Sequence, residues 1–248
     1  MAGLEVKNIS KTFHIQARPT EGVLSHVISA IEGRGNTWEL RVLNDISFSC
    51  KPGEVFGIIG SNGCGKSTLL RIIAGIYRQD KGIVHAPGRV VYLSGFNIGL
   101  QSKLTMRENI YLVGSIMGLR KREVHRYFDD IVRFSGLKDF LDTKIYQFSS
   151  GMVARLGFSS IISFVNHKKP DVVLLDEVLG AGGDAEFKRE ALAKMEEFMR
   201  SGAAVIMVSH DMKPIQKYCS RVILLRDGKI AAEGRPEEVI EEYEGTAA

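Results

Sequence analysis

Apolar residues form several short continuous runs along this chain. Val55–Ile59 is one such run, and it leads through a glycine-rich turn into Lys66–Ile76, where the spacing of apolar residues predicts a helix. Val172–Leu175 and Ala203–Ser209 are runs of the same kind. Continuous apolar runs are typical of strands that are buried on both faces of a sheet. Because these runs alternate with helical stretches such as Ala185–Arg200, the pattern predicts a parallel sheet covered by helices, an α/β fold.

The N-terminal part of the chain has a different pattern. Leu4–Ser10 alternates apolar and polar residues, and Val42–Cys50 does so again before a turn at Lys51–Glu54. Alternation of this kind predicts half-buried strands, which we expect to pair in an antiparallel N-terminal sheet. The segment between them, Phe13–Arg41, is polar and contains glycines. We interpret it as a long loop with one helix, Val23–Ile31.

The middle of the chain is expected to be helical. Arg107–Gly118, Arg120–Gly136 and Gly151–Asn166 have apolar residues at helical spacing, and no buried-strand run separates them. These segments predict a helical subdomain inserted into the α/β fold, over residues 97–166.

Charge and cysteine content narrow the classes of function. The chain has 33 lysines and arginines and 29 aspartates and glutamates, scattered so that the net charge of +4 is small and diffuse and does not indicate a nucleic-acid partner. The cysteines Cys50, Cys64 and Cys219 are odd in number and widely spaced, which is typical of reduced thiols in a cytosolic protein. The N-terminus has no apolar signal-peptide core, and the most apolar window, Leu156–Val165, is too short to span a bilayer. If the protein serves a membrane process, we expect another chain to cross the membrane.

A phosphate-binding motif follows the first apolar run. Gly60–Thr68 fits the pattern G-x-x-x-x-G-K-[ST] and lies between a predicted buried strand and a predicted helix, the context that this motif requires. Its glycines let backbone N–H groups turn inward around phosphate oxygens, and the helix N-terminus adds partial positive charge. Lys66 is expected to reach the β- and γ-phosphates of ATP, and the Ser67 hydroxyl is expected to ligate Mg²⁺. The residues expected to surround the nucleotide here are Gly60, Ser61, Asn62, Gly63, Cys64, Gly65, Lys66, Ser67 and Thr68.

With this motif, the predicted fold is a P-loop NTPase core with a mainly parallel sheet, formed by residues 1–96 and 167–230. We expect a hairpin turn at Arg226–Lys229 and then a C-terminal tail, residues 231–248, with one charged helix, Pro236–Tyr243. At 248 residues the chain is long enough for one such domain with its insert.

Two carboxylates and a histidine follow the other buried runs. Asp176 and Glu177 come directly after one run, and His210 comes directly after another. Because parallel strands end at the same edge of a sheet, we expect these side chains to lie beside the P-loop. Asp176 would then hold hydrated Mg²⁺, Glu177 would polarise the attacking water, and His210 would contact the γ-phosphate. Alone, each would more often be an ordinary residue at a strand end, and the upstream P-loop favours the functional interpretation.

With these motifs, the sequence resembles the nucleotide-binding subunits of ABC transporters over nearly its whole length. The signature of that family, usually Leu-Ser-Gly-Gly-Gln, corresponds to Phe148–Met152, which reads Phe-Ser-Ser-Gly-Met. The resemblance implies a head-to-tail dimer in which Ser149 and Gly151 of one subunit touch the γ-phosphate held by the P-loop of the other. A helix cap without a ligand is the alternative for these residues. The resemblance also implies that Phe13 stacks on adenine, with a buried core phenylalanine as the alternative.

Two other segments depart from the usual ABC pattern. Ser94 and Gly95 stand where most members have a glutamine. The segment Val178–Asp184 lacks the usual Ser-Ala-Leu-Asp motif, although Asp184 matches the aspartate of that motif. Together with the signature and Leu104–Tyr111, these departures resemble ATPases that export lipid-linked O-antigen, capsular polysaccharide or teichoic acid.

That resemblance implies ATP hydrolysis coupled to the export of a lipid-linked polysaccharide, by two copies of this chain and a separate integral membrane permease. The expected location is peripheral, at the cytoplasmic face of the inner membrane, with no nucleic-acid partner and no sugar recognised by the chain itself. Two alternatives stay open. One is the same motor with another cargo, such as a drug, a lipid or a small solute, and the other is a soluble ABC protein that acts on ribosomes or DNA.

Overall fold

The structure is a computed structural model that describes residues 3–16, 37–95, 99–177, 185–200 and 202–247. The helix predicted at Val23–Ile31 and the aspartate Asp184 lie outside these described residues. The strands in chain order are β1 (Leu4–Gln16), β2 (Thr37–Cys50), β3 (Val55–Ile59), β4 (Lys81–His85), β5 (Val90–Ser94), β6 (Val172–Asp176), β7 (Ala204–Val208), β8 (Arg221–Arg226) and β9 (Lys229–Gly234). The helices are α1 (Lys66–Ile73), α2 (Met106–Ile116), α3 (Lys121–Ser135), α4 (Ser150–Lys168), α5 (Ala185–Met199), α6 (Met212–Tyr218) and α7 (Pro236–Ala247), with 3₁₀ turns at Lys138–Phe140 and Ile145–Gln147.

The larger sheet is mainly parallel. Its strand order is β5-β6-β7-β3-β8-β9, and the strands from β5 to β8 in this order all run in the same direction. β9 pairs antiparallel with β8 through the expected hairpin turn, where Asp227 and Gly228 have φ angles of 49° and 71°. Every position of β6 and β7 is buried. This confirms the prediction of a parallel sheet with both faces covered.

The two faces of this sheet belong to separate apolar cores. Along β6, Val173 and Leu175 pack into a core shared with α2, α3 and α4, whereas Val172 and Leu174 pack into a core shared with β1, β2 and α1. Because successive side chains of a strand point to opposite faces, a strand covered on both sides buries every residue. Each such side chain contributes about 1.5–3 kcal/mol through burial. The carboxyl end of β6, which carries Asp176, is therefore held firmly from both sides.

The smaller sheet is antiparallel and has the order β2-β1-β4. It confirms the predicted N-terminal sheet, but the loop predicted over Phe13–Arg41 is wrong at both ends. Strand pairing continues through Phe13 with Leu40 and Ile15 with Trp38. Backbone hydrogen bonds between the two strands continue beyond the residues that alternate between apolar and polar. The alternation therefore predicted strands that are too short. β4 has four of its five residues exposed, so it has no buried face that a pattern could reveal.

The predicted helices that fall within the described residues are present, with shifted ends. α1 ends at Ile73 rather than Ile76, because Gly75 has a φ of 72°, the left-handed conformation that commonly terminates helices. α2 and α3 pack closely at Gly114, where a Cβ atom would lie 2.4 Å from Cγ2 of Val124. Within the described part of the chain, no helix combines the length and apolar character needed to cross a bilayer.

The division of the chain into subdomains stays a prediction. α2 and α3 fall inside the predicted insert, residues 97–166, and α4 extends two residues beyond it to Lys168. β8 falls inside the second part of the predicted core, residues 167–230, whereas β9 crosses into the predicted tail, residues 231–248.

All three cysteines are free thiols, as the sequence predicts, and the structure shows that all three are buried. Burial raises the pKa of Cys50 to about 12 and that of Cys219 to about 12. Because the thiolate is the reactive form, these two side chains behave as small apolar core residues at physiological pH.

Candidate functional site

The P-loop turns tightly between β3 and α1. Gly60, Gly63 and Gly65 have φ angles of 147°, 81° and 109°, which side-chain-bearing residues rarely adopt. A Cβ atom on Gly60 would lie 2.2 Å from the Leu225 carbonyl oxygen. Gly65 begins α1 without any side-chain cap, so the first N–H groups of the helix have no hydroxyl or carboxylate partner at that position. This is the geometry of an anion site at a helix N-terminus.

The Lys66 side chain is held against this loop. It is buried, with 7% of its surface exposed, and its Nζ donates to the carbonyl oxygens of Gly60 at 2.7 Å and Ser61 at 2.9 Å. Cys64 Sγ lies 3.9 Å from the same ammonium group. The positive charge therefore lies against the loop, next to the N-terminus of α1. The lysine charge and the helix dipole both favour a bound phosphate there.

Three parallel strands end at this loop. Ile58 of β3 pairs with Val208 of β7, and Val208 pairs in turn with Asp176 of β6. Ser67 Oγ consequently lies 3.4 Å from Asp176 Oδ1, across from the start of α1. Residues more than a hundred positions apart in the sequence thus form one polar cluster at the carboxyl edge of the sheet.

Glu177 and His210 meet on the solvent side of the same edge. His210 Nδ1 lies 3.4 Å from Glu177 Oε2, and both side chains are well exposed. Glu177 has a φ of 56°, and its backbone N–H donates to the Val208 carbonyl at 3.0 Å. A left-handed conformation at a residue other than glycine costs about 1–3 kcal/mol and is frequent at functional sites. Here it turns the Glu177 side chain out of the sheet edge and toward the groove described next.

A groove of about 390 Å³ extends from the P-loop to Phe13. Phe13 is half-buried at its rim and meets Tyr77 edge to face, with ring centroids 5.8 Å apart. This places Phe13 outside the fully buried core, which was the alternative for this residue. The residues lining the groove are Phe13, Leu40, Val42, Asn62, Gly63, Gly65, Lys66, Ser67, Thr68, Arg71, Tyr77 and Glu177.

Three side chains in this region were not predicted from the sequence. Tyr92 donates its hydroxyl to Asp176 Oδ2 at 2.8 Å, Arg71 interacts with the Tyr92 phenol, and the Arg71 guanidinium lies 5.6 Å from the ring centre of Tyr77. Tyr92 lies on a strand next to that of Asp176, and Arg71 lies on the helix after the P-loop. In the sequence, Tyr92 is marked only by its hydroxyl within the otherwise apolar run Val90–Leu93.

The predicted signature residues lie elsewhere on the chain. Ser149 is the N-cap of α4, and its hydroxyl accepts a hydrogen bond from the Met152 N–H at 3.2 Å. Gly151 lies in the first turn of the same helix. Neither Ser149 nor Gly151 lines the groove, so the described part of one chain does not bring them to the P-loop.

The donors at the sheet edge suit a divalent cation that also binds phosphate oxygens. Ser67 and Asp176 offer hydroxyl and carboxylate oxygens, the hard ligands that Mg²⁺ prefers. Among the described residues, no group of three or more histidine, cysteine, aspartate or glutamate side chains could hold a metal ion by itself. Mg²⁺ sites in phosphoryl-transfer proteins typically combine one or two protein ligands with phosphates and water. The arrangement therefore fits a metal that arrives with a polyphosphate.

Comparison with known proteins relates the sequence to ATP-binding subunits. The profile of the ABC transporter family matches residues 43–180. The teichoic acids export ATP-binding protein TagH of Lactococcus lactis is 44% identical over 84% of this chain and 42% of the relative. The O-antigen export system ATP-binding protein RfbB of Klebsiella pneumoniae is 40% identical over 83% of this chain and 82% of the relative. The chain thus spans less than half of the TagH relative and most of the RfbB relative.

Two solved structures share the fold. An ATP-binding subunit of an ABC transporter superposes with a TM-score of 0.70 at 23% identity, over 100% of this chain and 95% of the other. The dimeric post-hydrolysis state of the ATP-binding cassette MJ0796, bound to ADP and Pi, superposes with a TM-score of 0.68 at 21% identity, over 94% of this chain and 98% of the other. This likeness confirms the predicted α/β P-loop NTPase fold.

Proposed function

Because the chain belongs to the ABC transporter family, we propose that it binds and hydrolyses ATP to drive the export of a lipid-linked polysaccharide. The observation that carries the ATPase part is the meeting of three strand ends beside the P-loop. There, Ser67 lies 3.4 Å from Asp176, and His210 lies 3.4 Å from Glu177. The export part rests on the relatives that take part in teichoic acid and O-antigen export.

The P-loop and Lys66 would bind the phosphates of ATP. The glycine turn directs backbone N–H groups inward, and the Lys66 ammonium, already held beside Gly60 and Ser61, adds a full positive charge. Phe13 would stack on adenine at the other end of the groove, with Tyr77 supporting its ring from the side. In this role the whole length of the groove recognises one nucleotide.

Ser67 and Asp176 would hold Mg²⁺. When bound, the ion would supply positive charge that offsets the negative charge developing on the phosphates during transfer. Glu177 would accept a hydrogen bond from the attacking water and polarise it, since its carboxylate is exposed toward the groove. His210, beside Glu177, would orient that carboxylate and contact the γ-phosphate.

The site would be completed by a second copy of the chain. Ser149 and Gly151 stand at the N-terminus of α4 but do not line the groove of their own chain, which supports a role toward the nucleotide of a partner subunit. We propose a homodimer that works with a separate integral membrane permease at the cytoplasmic face of the membrane. The cargo would be selected by that permease.

A variant of Glu177 tests the hydrolytic assignment. Glu177→Gln removes the base while keeping the size of the side chain, so we expect hydrolysis to fall by about 10²–10⁴-fold while ATP stays bound and the dimer persists. Phosphate release and size-exclusion chromatography with ATP measure these two effects. Asp211→Asn, a neighbouring exposed carboxylate that caps α6, is the matched control. Wild-type hydrolysis in Glu177→Gln would contradict the assignment of the base.

Co-purification from the native cell tests the transport assignment. We expect a tagged chain, extracted in mild detergent, to bring an integral membrane protein with it, and the Glu177→Gln strain to lose its cell-surface glycan. Recovery of the membrane protein with an unchanged surface glycan would point to another cargo. Recovery of ribosomal or DNA-repair proteins alone would contradict the transporter assignment and favour the soluble alternative.

A further inference from the structure

The two oxygens of the Asp176 carboxylate are held from different sides. Oδ1 lies 3.4 Å from Ser67 Oγ, and Oδ2 accepts a hydrogen bond from the Tyr92 hydroxyl at 2.8 Å. Asp176 is buried, with 8% of its surface exposed. Because a buried carboxylate is costly unless donors surround it, the Tyr92 hydroxyl is a substantial part of its environment. It also fixes which oxygen faces Ser67.

Tyr92 reaches Asp176 because of the register between two neighbouring strands. β5 runs parallel to β6, with Tyr92 opposite Leu174 and Ser94 opposite Asp176. The Tyr92 Cα is therefore two residues below the level of the carboxylate, and its long side chain extends up to the sheet edge. Leu93 follows Tyr92 and packs into the core on the other face of the sheet, and Ser94 and Gly95 after it have no side chain long enough to replace a phenol. The strand thus reaches Asp176 through Tyr92.

The Tyr92 side chain is half-buried near the sheet edge, and its hydroxyl donates to Asp176 Oδ2 at 2.8 Å. Arg71 of α1 and Ser94 lie close enough to interact with the same phenol. Because an ionised carboxylate accepts hydrogen bonds and cannot donate them, the phenol directs its proton at Oδ2.

We propose that Tyr92 is a positioning residue that presents Oδ1 of Asp176 to Mg²⁺. This inference rests on the proposed function, in which Ser67 and Asp176 hold the metal. A group that orients a metal-binding carboxylate typically affects metal affinity by about 10–100-fold. The competing explanation is that Tyr92 is a half-buried aromatic side chain whose hydroxyl merely finds an acceptor. That explanation predicts a loss of stability without any effect on the metal.

The test compares nucleotide binding with and without the metal. The probe is a fluorescent, non-hydrolysable ATP analogue, titrated against the full chain in Mg²⁺ and in EDTA, and the readout is the ratio of the two Kd values. We expect Tyr92→Phe to reduce this ratio by about tenfold while the affinity in EDTA stays near that of the wild type. Tyr218→Phe is the matched control, because Tyr218 also donates to a carboxylate, Glu196, at 2.8 Å but lies outside the groove.

Each outcome decides between the two explanations. An unchanged ratio in a folded Tyr92→Phe protein, or an equal fall in Tyr218→Phe, would overturn the positioning role. If Tyr92→Phe does not fold, Tyr92→His is the second variant. It keeps an aromatic ring with an N–H donor but shortens the reach to Oδ2, so we expect a smaller fall of about threefold, and an unchanged ratio would overturn the proposal. A wild-type chain that binds the analogue equally well in Mg²⁺ and EDTA would overturn the proposed function itself.

Discussion

Two helices of this molecule begin in opposite ways, although both are proposed to face the phosphates of ATP. α1 begins at Gly65, which has a φ of 109° and provides no side-chain cap. α4 begins at Ser149, which has a φ of −67° and caps the helix with its own hydroxyl. The first turn of a helix has N–H groups without partners within the helix, so each start must satisfy them in some way. At Gly65 the N–H groups of α1 have no side-chain acceptor and can bind a ligand. At Ser149 the side chain itself accepts a hydrogen bond from one N–H group of α4.

The difference separates a binding element from a presenting element. At α1 the loop, the helix and Lys66 are already arranged around one point within a single chain. At α4 the helix is complete by itself, and Ser149 and Gly151 stand apart from the groove. A helix N-terminus that is capped by its own chain keeps its structure when it contacts another subunit. This is why we assign binding to α1 and contact in trans to α4.

Among changes at these two helix starts, the largest expected effect comes from removing the charge at α1. Lys66→Ala should lower ATP hydrolysis by about 10²–10³-fold, because a donor that stabilises the transferred phosphoryl group is lost from a preorganised site. Phosphate release at saturating Mg²⁺ and ATP measures it. Lys51→Ala, which changes an exposed lysine in the turn before β3, should leave the rate unchanged. Near-normal hydrolysis in Lys66→Ala would remove α1 from its assigned role.

The next effect concerns the glycine that opens α1. Gly65→Ala should lower the free energy of unfolding by about 1–3 kcal/mol, because the φ of 109° suits only glycine and the new Cβ would meet Leu43 Cδ2 at 2.8 Å. Urea unfolding measures this loss. Gly63→Ala is the matched control, since its φ is 81° but no atom lies within 4 Å of the new Cβ. Equal losses in the two variants would show that the close approach to Leu43 does not matter.

A smaller effect on activity is expected at α4, and it should appear in trans. Ser149→Ala should reduce hydrolysis by about tenfold, because one hydrogen bond to a charged phosphate is worth about 1.5–3 kcal/mol and part of it can be replaced by water. Mixing Ser149→Ala with Lys66→Ala should restore part of the rate, since mixed dimers contain one site with both parts intact. No recovery on mixing would contradict the head-to-tail arrangement.

The smallest effect tests whether Ser149 is also an ordinary cap. Ser149→Ala should lower the free energy of unfolding by about 1 kcal/mol, because the Met152 N–H loses its acceptor at 3.2 Å. Thermal unfolding of the isolated chain measures it, and Ser150→Ala, at the exposed next position, is the control. A loss of activity in trans without any loss of stability would show that Ser149 acts on the nucleotide alone.

The sequence predicted the parts of the fold in which local pattern and burial agree. β3, β6 and β7 were predicted within a residue or two, because strands buried on both faces have continuous apolar runs. β4 was missed because most of it is exposed, and the strands around Phe13 were predicted too short because backbone pairing extends them. Pairing between distant segments has no signature in either segment alone.

The same contrast applies to the candidate site. Lys66, Asp176 and His210 could be placed together because a motif or a strand end marks each of them. Tyr92 could not, because its contact with Asp176 depends on the register between two strands 82 residues apart, as the pairing of Val90 with Val172 shows. The contact of Tyr92 with Asp176 becomes visible only when the pairing of β5 with β6 is known.

The contacts of Lys66 with the P-loop have a consequence for the entropy of binding. A lysine side chain has about 2 kcal/mol of rotamer entropy to lose when it is fixed in one conformation. In this chain the Gly60 and Ser61 carbonyls restrict it at 2.7 and 2.9 Å, through contacts that the chain makes with its own backbone. Most of that loss is therefore incurred during folding, and ATP meets a cation that needs little further ordering. A nucleotide should bind this chain with a smaller entropic penalty than it would meet at a freely moving surface lysine.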